Sequence, residues 1–449
     1  MKRRHIILTT TQLILLSFLA AIIIGAVLLS LPISTKSGAP IPFIDALFTA
    51  TTATCVTGLV TVPTVTTWSI FGQAVILILI QIGGLGIITM ASGLMICLHQ
   101  KIGLGDRILI RDAFNLNTLF DLTKFIKKVI IGTFVIEGIG AICYLPVFVP
   151  AYGAKGIWIS VFNAVSAFCN AGIDIVSQNS LTDYALHPLI NFVTCTLIVL
   201  GGLGFIVWWD VLRVIKTIKH RKLRSLTLHS KIVLSATAVL ILGGALLFFI
   251  FETNNPLTMA GHSIWDKIQL SLFQSVTTRT AGFATLPQQN LTNASAFLSL
   301  FLMFIGGSPV GTAGGIKTAT LVVLIASAHS VIKNKNEITL FGRSIPQPIV
   351  LKAAAVTLSS FFTMFFSTVL LSAVTHAPAL DVIYETVSAT ATVGLTRDLT
   401  SLLNFAGKII IIFTMYFGRV GPISLAFAFR LRKSKPDRIK NPAENVSVG

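Results

Sequence analysis

Cys55-Val56-Thr57-Gly58, Cys169-Asn170-Ala171-Gly172, Arg279-Thr280-Ala281-Gly282 and Ala391-Thr392-Val393-Gly394 are four short segments that each close on a glycine. Successive glycines stand 114, 110 and 112 residues apart in a chain of 449 residues. A near-constant period across the whole length means one structural unit used four times.

The surroundings of these segments place the unit in a membrane. The chain is 54% hydrophobic and 11% charged, against about 25% charged in ordinary soluble domains. Apolar runs such as Ile14 to Leu31 and Val193 to Trp209 read as transmembrane helices. The first run lacks a clear small-residue cleavage site and further spans follow it, so it reads as a span rather than a signal peptide.

A net charge of +18 in a soluble protein would point to nucleic acid. Here 26 of the 34 Lys and Arg fall into five clusters: Lys2 to Arg4, Lys101 to Lys128, Arg213 to Lys231, Lys333 to Lys352 and Arg430 to Lys440. Basic residues collect in cytoplasmic loops. The clusters therefore mark the cytoplasmic side, with both termini on it, and no nucleic-acid partner is expected. Cys55, Cys97, Cys143, Cys169 and Cys195 form no CxxC or His-paired set, so neither a disulfide framework nor a metal or cofactor site is expected.

Within each period the order is constant. An apolar span (7–31, 129–150, 232–251, 349–374) leads to a shorter amphipathic stretch (42–54, 158–168, 264–278, 380–390). The glycine segment follows, then a returning span (68–98, 188–212, 296–332, 405–429). At ~1.5 Å per residue the short stretches cannot cross a ~30 Å core. They predict half-helices that enter from outside and turn back.

The expected fold is an all-α membrane protein of four tandem helix–pore-helix–helix repeats around one pseudo-four-fold pore, with eight transmembrane helices. The repeats run 1–100, 101–222, 223–340 and 341–449, the last with a cytoplasmic tail. An aromatic residue stands ten positions before the glycine at Phe48, Phe162 and Tyr384, but nine before it at Phe273.

Irregular backbone at membrane depth is tolerated where it lines an aqueous cavity. A loop that aims carbonyl oxygens at an ion needs backbone angles that a Cβ obstructs. Four glycines in register favour that reading over four unrelated helix-capping turns. The candidate filter is Val56, Thr57 and Gly58; Asn170, Ala171 and Gly172; Thr280, Ala281 and Gly282; and Thr392, Val393 and Gly394. The run Thr392-Val393-Gly394 matches the opening of the Thr-Val-Gly-Tyr-Gly loop of potassium channels. Thr57, Thr280 and Thr392 add hydroxyls, whereas Asn170 departs from that pattern.

A second recurrence lies in the returning spans: Gly83-Gly84-Leu85-Gly86, Gly201-Gly202-Leu203-Gly204, Gly306-Gly307-Ser308-Pro309 and Gly418-Arg419-Val420-Gly421. In the first two copies these read as small residues for close helix packing. The third continues as Gly311-Thr312-Ala313-Gly314-Gly315-Ile316-Lys317-Thr318. An unbroken helix over 296–332 would be ~55 Å long, too long for one crossing. We expect a break between Gly306 and Thr318 that leaves a flexible loop as a gate, with Gly306, Gly307, Gly311, Gly314, Gly315, Lys317 and Arg419 as gate residues. A phosphate-binding P-loop needs Gly-Lys-Ser/Thr, and Ile316 separates Gly315 from Lys317. Arg419 either faces the pore and pairs with loop carbonyls or sits near the cytoplasmic interface with a structural partner. Asp210 and Glu252 lie near span ends; Glu137 is central, with no partner named by the sequence. Asp45, Asp174, Asp266, Asp381 and Glu385 lie near the outer mouth, either gathering cations or as solvated loop carboxylates.

These features together resemble the superfamily of Trk, Ktr and HKT cation transporters, over nearly the whole chain. The short N-terminus is most similar to the bacterial Ktr membrane subunit of the KtrB/KtrD type. The resemblance implies potassium uptake across the bacterial cytoplasmic membrane, sodium-dependent or sodium-activated, with Na+ beside the transported K+. It implies a homodimer on a cytosolic ring of RCK subunits of the KtrA/KtrC type that bind ATP or ADP. In plant relatives a Ser at the first filter position goes with sodium transport, so Gly58 implies potassium selectivity. An alternating-access K+/Na+ or K+/H+ symporter is the alternative, since broken helices are also its signature. An intramembrane enzyme would need a nucleophile and base, and the eight His avoid the span centres.

Overall fold

The computed structural model describes residues 10–86, 89, 90, 92, 95, 122–219, 226–335 and 337–421. The basic clusters Lys2 to Arg4 and Arg430 to Lys440, most of Lys101 to Lys128, and Cys97 lie outside the described residues. The four described cysteines are free thiols.

The expected unit is found four times. The leading helices are Thr10–Ser30, Leu122–Tyr152, Leu228–Glu252 and Gln347–Val374. Each contains a stretch long and apolar enough to cross a bilayer. The half-helices are Phe43–Cys55, Lys155–Cys169, Ile264–Thr277 and Ala379–Ala391. The return helices begin at Ile70, Pro188, Asn293 and Phe405. Their starts follow from local chemistry: Ser69, Thr292 and Asn404 side chains accept from the third amide onward, and Pro188 occupies a first-turn position.

Burial is inverted relative to a soluble protein. Ile142, Val239 and Phe366 lie 65%, 69% and 60% exposed, while Thr51, Thr133, Ser166 and Thr277 are fully buried. That distribution suits a surface covered by lipid and an interior that satisfies polar groups.

The return spans differ from the expected continuous helices. They end at Leu85, Leu203, Phe304 and Val420, so the break expected in the third repeat has counterparts at Gly86 and Gly204, while residues 422–429 of the fourth expected span lie outside the described residues. Gly86, Gly204 and Gly421 stop their helices with φ of 83°, 87° and 86°, in the region where an L side chain is strained. In the second repeat the chain resumes as Phe205–Lys219 after a 98° bend. The leading glycine packs closely in the first two motifs, as the sequence suggests, and in the fourth as well. A Cβ on Gly83, Gly201 or Gly418 would strike the carbonyl of Thr54, Phe168 or Thr390 on the half-helix of its own repeat.

Buried carboxylates tie these helices together. Asp210 accepts from the Thr227 amide at 2.8 Å and its hydroxyl at 2.9 Å, at the start of the third leading helix. Glu137 meets Gln81 Nε2 at 3.3 Å and Cys169 Sγ at 3.8 Å, the partners that the sequence left unnamed. Glu252 accepts from the amide and hydroxyl of Thr292 at 2.9 and 2.8 Å, from Asn255 Nδ2 at 2.7 Å and from Thr258 Oγ1 at 2.5 Å. Replacing Glu252 by Ala strands the Thr292 amide and should cost about 2–3 kcal/mol, since bonds to charged groups are the stronger class. The expected result is a lower thermal midpoint of the full chain in detergent, and an unshifted midpoint would contradict this account.

Candidate ion pathway

Each half-helix hands over to its glycine in the same way. The residue two positions before the glycine is left-handed: Val56, Asn170, Thr280 and Thr392 have φ of 55°, 59°, 64° and 52°. In three repeats this residue directly caps the helix, and the next amide reaches back to close the turn. Thr57 N donates to Thr52 O, Ala171 N to Ser166 O and Val393 N to Ser388 O, all at 2.8 Å. Asn170 differs in side chain but not in conformation, and Asn tolerates this region well.

In the third repeat Thr278 and Arg279 separate the helix end at Thr277 from Thr280. There Ala281 N donates to Thr277 O at 3.0 Å, a turn shorter by one residue. This shortening accounts for the offset of Phe273, which is as fully buried as Phe48, Phe162 and Tyr384.

The four glycines, distant in sequence, meet. Their φ values are 99°, 63°, 83° and 99°. A Cβ on Gly58 would fall 2.6 Å from Ala171 O, and one on Gly172 2.6 Å from Ala281 O. One on Gly282 would fall 2.5 Å from Val393 O, and one on Gly394 would strike Thr57 O. The contacts run from repeat one to two, three, four and back to one, a closed ring. The Cβ of Gly58 would also lie 3.2 and 3.3 Å from the Cα atoms of Gly394 and Gly172. Only glycine fits. The Thr57, Thr280 and Thr392 hydroxyls are buried without a hydrogen-bond partner in the protein. All four half-helices direct their C-termini at this ring, and the partial negative charge there favours a cation.

A cavity lies on each side of the ring. One, about 730 Å³, is lined by all four glycines together with Asp174, Gln288, Thr396 and Asp398. The other, about 380 Å³, is lined by Gly83, Gly311, Gly314, Lys317, Thr390 and Arg419.

The third return helix stops at Phe304 and a new helix begins at Thr318. Gly306, Gly307, Gly311, Gly314, Gly315 and Lys317 all belong to the segment between them. Its neck is closed by Ile316 N donating to Phe304 O at 3.2 Å and Thr318 N to Gly307 O at 3.0 Å. Its body rests on the second repeat's break, with Ser308 N donating to Gly202 O at 2.8 Å and Thr312 N to Gly201 O at 3.1 Å. Gly314 packs under Ala391 and Thr392 of the fourth glycine segment. Arg419 spans this space, donating to Thr312 O at 2.7 Å and to Gly83 O at 2.5 Å. Lys317 folds back onto Ala313 O at 2.6 Å.

Of the outer acids, most are committed elsewhere. Asp45 pairs with Lys408 at 2.6 Å and Asp381 with Arg397 at 2.6 Å. Glu385 accepts from Thr396 and Thr400 hydroxyls at 2.6 and 2.5 Å, and Asp266 from Ser263 at 2.7 Å. Arg397 further donates to Gln288 O and Gln289 O at 2.9 and 3.2 Å, joining the fourth loop to the third. Arg397 falls outside the five basic clusters of the sequence, and nothing in its spacing names these partners.

Asp174 is the exception among those acids: it lines the larger cavity, in a loop outside the spanning helices. Burial pushes its carboxyl up to about 6, against bonds from Ser180 and the Val176 amide that pull it down.

The chain belongs to the TrkH family of cation transport proteins, whose profile it matches over residues 9–437. It is 41% identical over 442 residues to the Ktr system potassium uptake protein B of Bacillus subtilis, covering 98% of this chain and 97% of that one. It is 39% identical over 448 residues to the potassium/sodium uptake protein NtpJ of Enterococcus hirae, covering 98% of each. The crystal structure of the potassium transporter TrkH from Vibrio parahaemolyticus superposes with a TM-score of 0.75 at 16% identity, over 96% of this chain and 87% of the other. The two share the fold.

The Asp174 carboxyl gains its proton as pH falls through about 6. On the side of the larger cavity, lowering pH from about 7 to 5 should therefore remove a negative charge and weaken cation entry at limiting concentration. Tracer uptake against pH should show this fall, and Asp174→Asn should flatten it. A fall of equal size in the variant would assign the titration to another group.

Proposed function

We propose that the chain takes up potassium across the bacterial cytoplasmic membrane through a channel-like pore. The observation that carries this reading is the closed ring of four glycines, each filled by the carbonyl of the next repeat. Carbonyls of residues 54–58, 168–172, 278–282 and 390–394 replace the hydration shell of K+. The helix ends behind them hold the site at negative potential. The naming of two relatives for potassium and potassium/sodium uptake supports the choice of ion.

The segment from Gly306 to Lys317 acts as the gate beneath this filter. Arg419 pins it to the first repeat and places a positive charge on the path. Both termini lie in the cytoplasm, and each unit 1–100, 101–222, 223–340 and 341–449 supplies one quarter of the pore. Sodium activates or couples to transport. The chain works as a homodimer on a cytosolic RCK ring of the KtrA/KtrC type that binds ATP or ADP. The membrane subunit carries ions and performs no enzymatic step.

Rubidium tracer uptake into proteoliposomes under an imposed potential, with potassium, sodium and lithium as competitors, tests this reading. Potassium should compete strongly and sodium weakly, whereas equal competition would remove the selectivity assigned to the ring. Gly58→Ser should lower potassium preference at least about tenfold, since its hydroxymethyl group must displace the Ala171 carbonyl, and 1.4 kcal/mol corresponds to tenfold. Deleting Gly311 to Gly315 should raise flux several-fold, and unchanged flux would sink the gate assignment. A fixed ion stoichiometry would favour the symporter.

A further inference from the structure

Three repeats handle the junction between half-helix and return helix alike, and the third does not. At three residues before the glycine stand Cys55, Cys169 and Ala391, against Arg279 in the third. In the other repeats the leading glycine of the return motif packs directly on a half-helix carbonyl. Gly306 instead packs on Gly314 and Gly315 of its own loop. The Arg279 guanidinium reaches into that gap, with Nη2 donating to Gly306 O at 3.5 Å.

Arg279 is 7% exposed, and no carboxylate pairs with it among the described residues. Its Nε has no hydrogen-bond partner. A void of about 10 Å³ beside it is lined by Ile198, Thr237, Val276 and Gly307, none of them acidic. A buried cation without a counter-charge is expensive. A single bond at the outer limit of hydrogen-bond length recovers little of that expense. Packing alone would be served by the Cys or Ala that the other repeats use.

Position supplies the reason. Gly306 sits in the neck of the intramembrane loop, where Ile305 pairs with Ile316. Arg419 grips the same loop farther along, at Thr312. We propose that Arg279 is a positioning residue that holds the neck of this loop, so that the third filter segment and the gate move as one body. The inference rests on the pore reading for its consequence in transport, but not for the hold itself. Two arginines then fix the loop: one from its own filter segment, one from the fourth return helix.

The test uses the full chain in proteoliposomes, with rubidium flux as one readout and loop position as the other. Loop position is read by electron spin resonance between labels at Val310→Cys and Val356→Cys, both beside the smaller cavity, in a background with the native cysteines replaced by Ala. Arg279→Met keeps the length and the apolar stem and removes the donors. It should raise flux about fivefold or more, the lower range of site-to-site coupling. It should also broaden the label distances. Deleting Gly311 to Gly315 in the same chain should add no further flux, and Arg279→Lys should restore part of the hold. Unmoved label distances would overturn the proposal, as would altered ion preference with an unmoved loop, which would make Arg279 a filter residue. If Arg279→Met does not assemble, the Lys variant carries the same test, with a smaller broadening expected and none overturning it. Label movement in a chain whose wild type shows no uptake would sink the pore reading and leave the hold on the loop intact.

Discussion

At the centre of the molecule a carbonyl oxygen of one repeat occupies the space that a side chain on the next repeat's glycine would need. This steric constraint sets much of the rest. Four segments of the chain meet there only if each half-helix ends at the right depth and turns out through a left-handed residue. Val56, Thr280 and Thr392 are β-branched and adopt that conformation against their preference, at a cost of roughly 1–2 kcal/mol each. The turn bonds beneath them and the burial of Phe48, Phe162, Phe273 and Tyr384 hold the geometry in place. The third repeat shows the tolerance of the arrangement: its turn is one residue shorter, and the change is absorbed at the helix end while Thr280 and Gly282 keep their conformations.

The same constraint orders the electrostatics. Half-helices that stop at the ring leave unsatisfied carbonyls facing the middle of a low-dielectric body, which favours a cation there. Among the described residues three basic side chains meet at the loop of the third repeat, Arg279 buried and Lys317 and Arg419 half-buried beside the smaller cavity. Arg419 is satisfied by Thr312 O of that loop and by Gly83 O of the first return helix, Lys317 by Ala313 O of the loop, and Arg279 by the neck carbonyl alone. The acids nearer the larger cavity are mostly consumed in joining repeats, as Asp45 does with Lys408 and Asp381 with Arg397. That leaves Asp174 as the acid from the sequence's set that faces the cavity.

Much of the architecture was legible from periodicity. The half-helix bounds expected at 42–54, 158–168, 264–278 and 380–390 agree closely with those observed, because a basic loop, an apolar span, an amphipathic stretch and a glycine follow one another in fixed order. The break in the third return span was legible from length, since 37 residues exceed one crossing. The helix ends at Gly86, Gly204 and Gly421 were not. Each glycine lies at the end of a motif whose first glycine packs in a helix, and spacing alone does not separate a packing glycine from one that must take a positive φ.

The sequence by itself determined the repeat, its membrane setting, the half-helices and the positions of the four ring glycines, because hydrophobic period and glycine placement are local properties. Only the tertiary structure decided which carbonyl meets which glycine, and that the ring closes in the order one, two, three, four. The partners of Arg279, Glu137 and Glu252 also came from the fold alone, and for Arg419 the fold chose the loop carbonyl over an interfacial partner. Such contacts join residues up to several hundred positions apart. They depend on how four separately legible units pack around a common axis, and no local pattern encodes that.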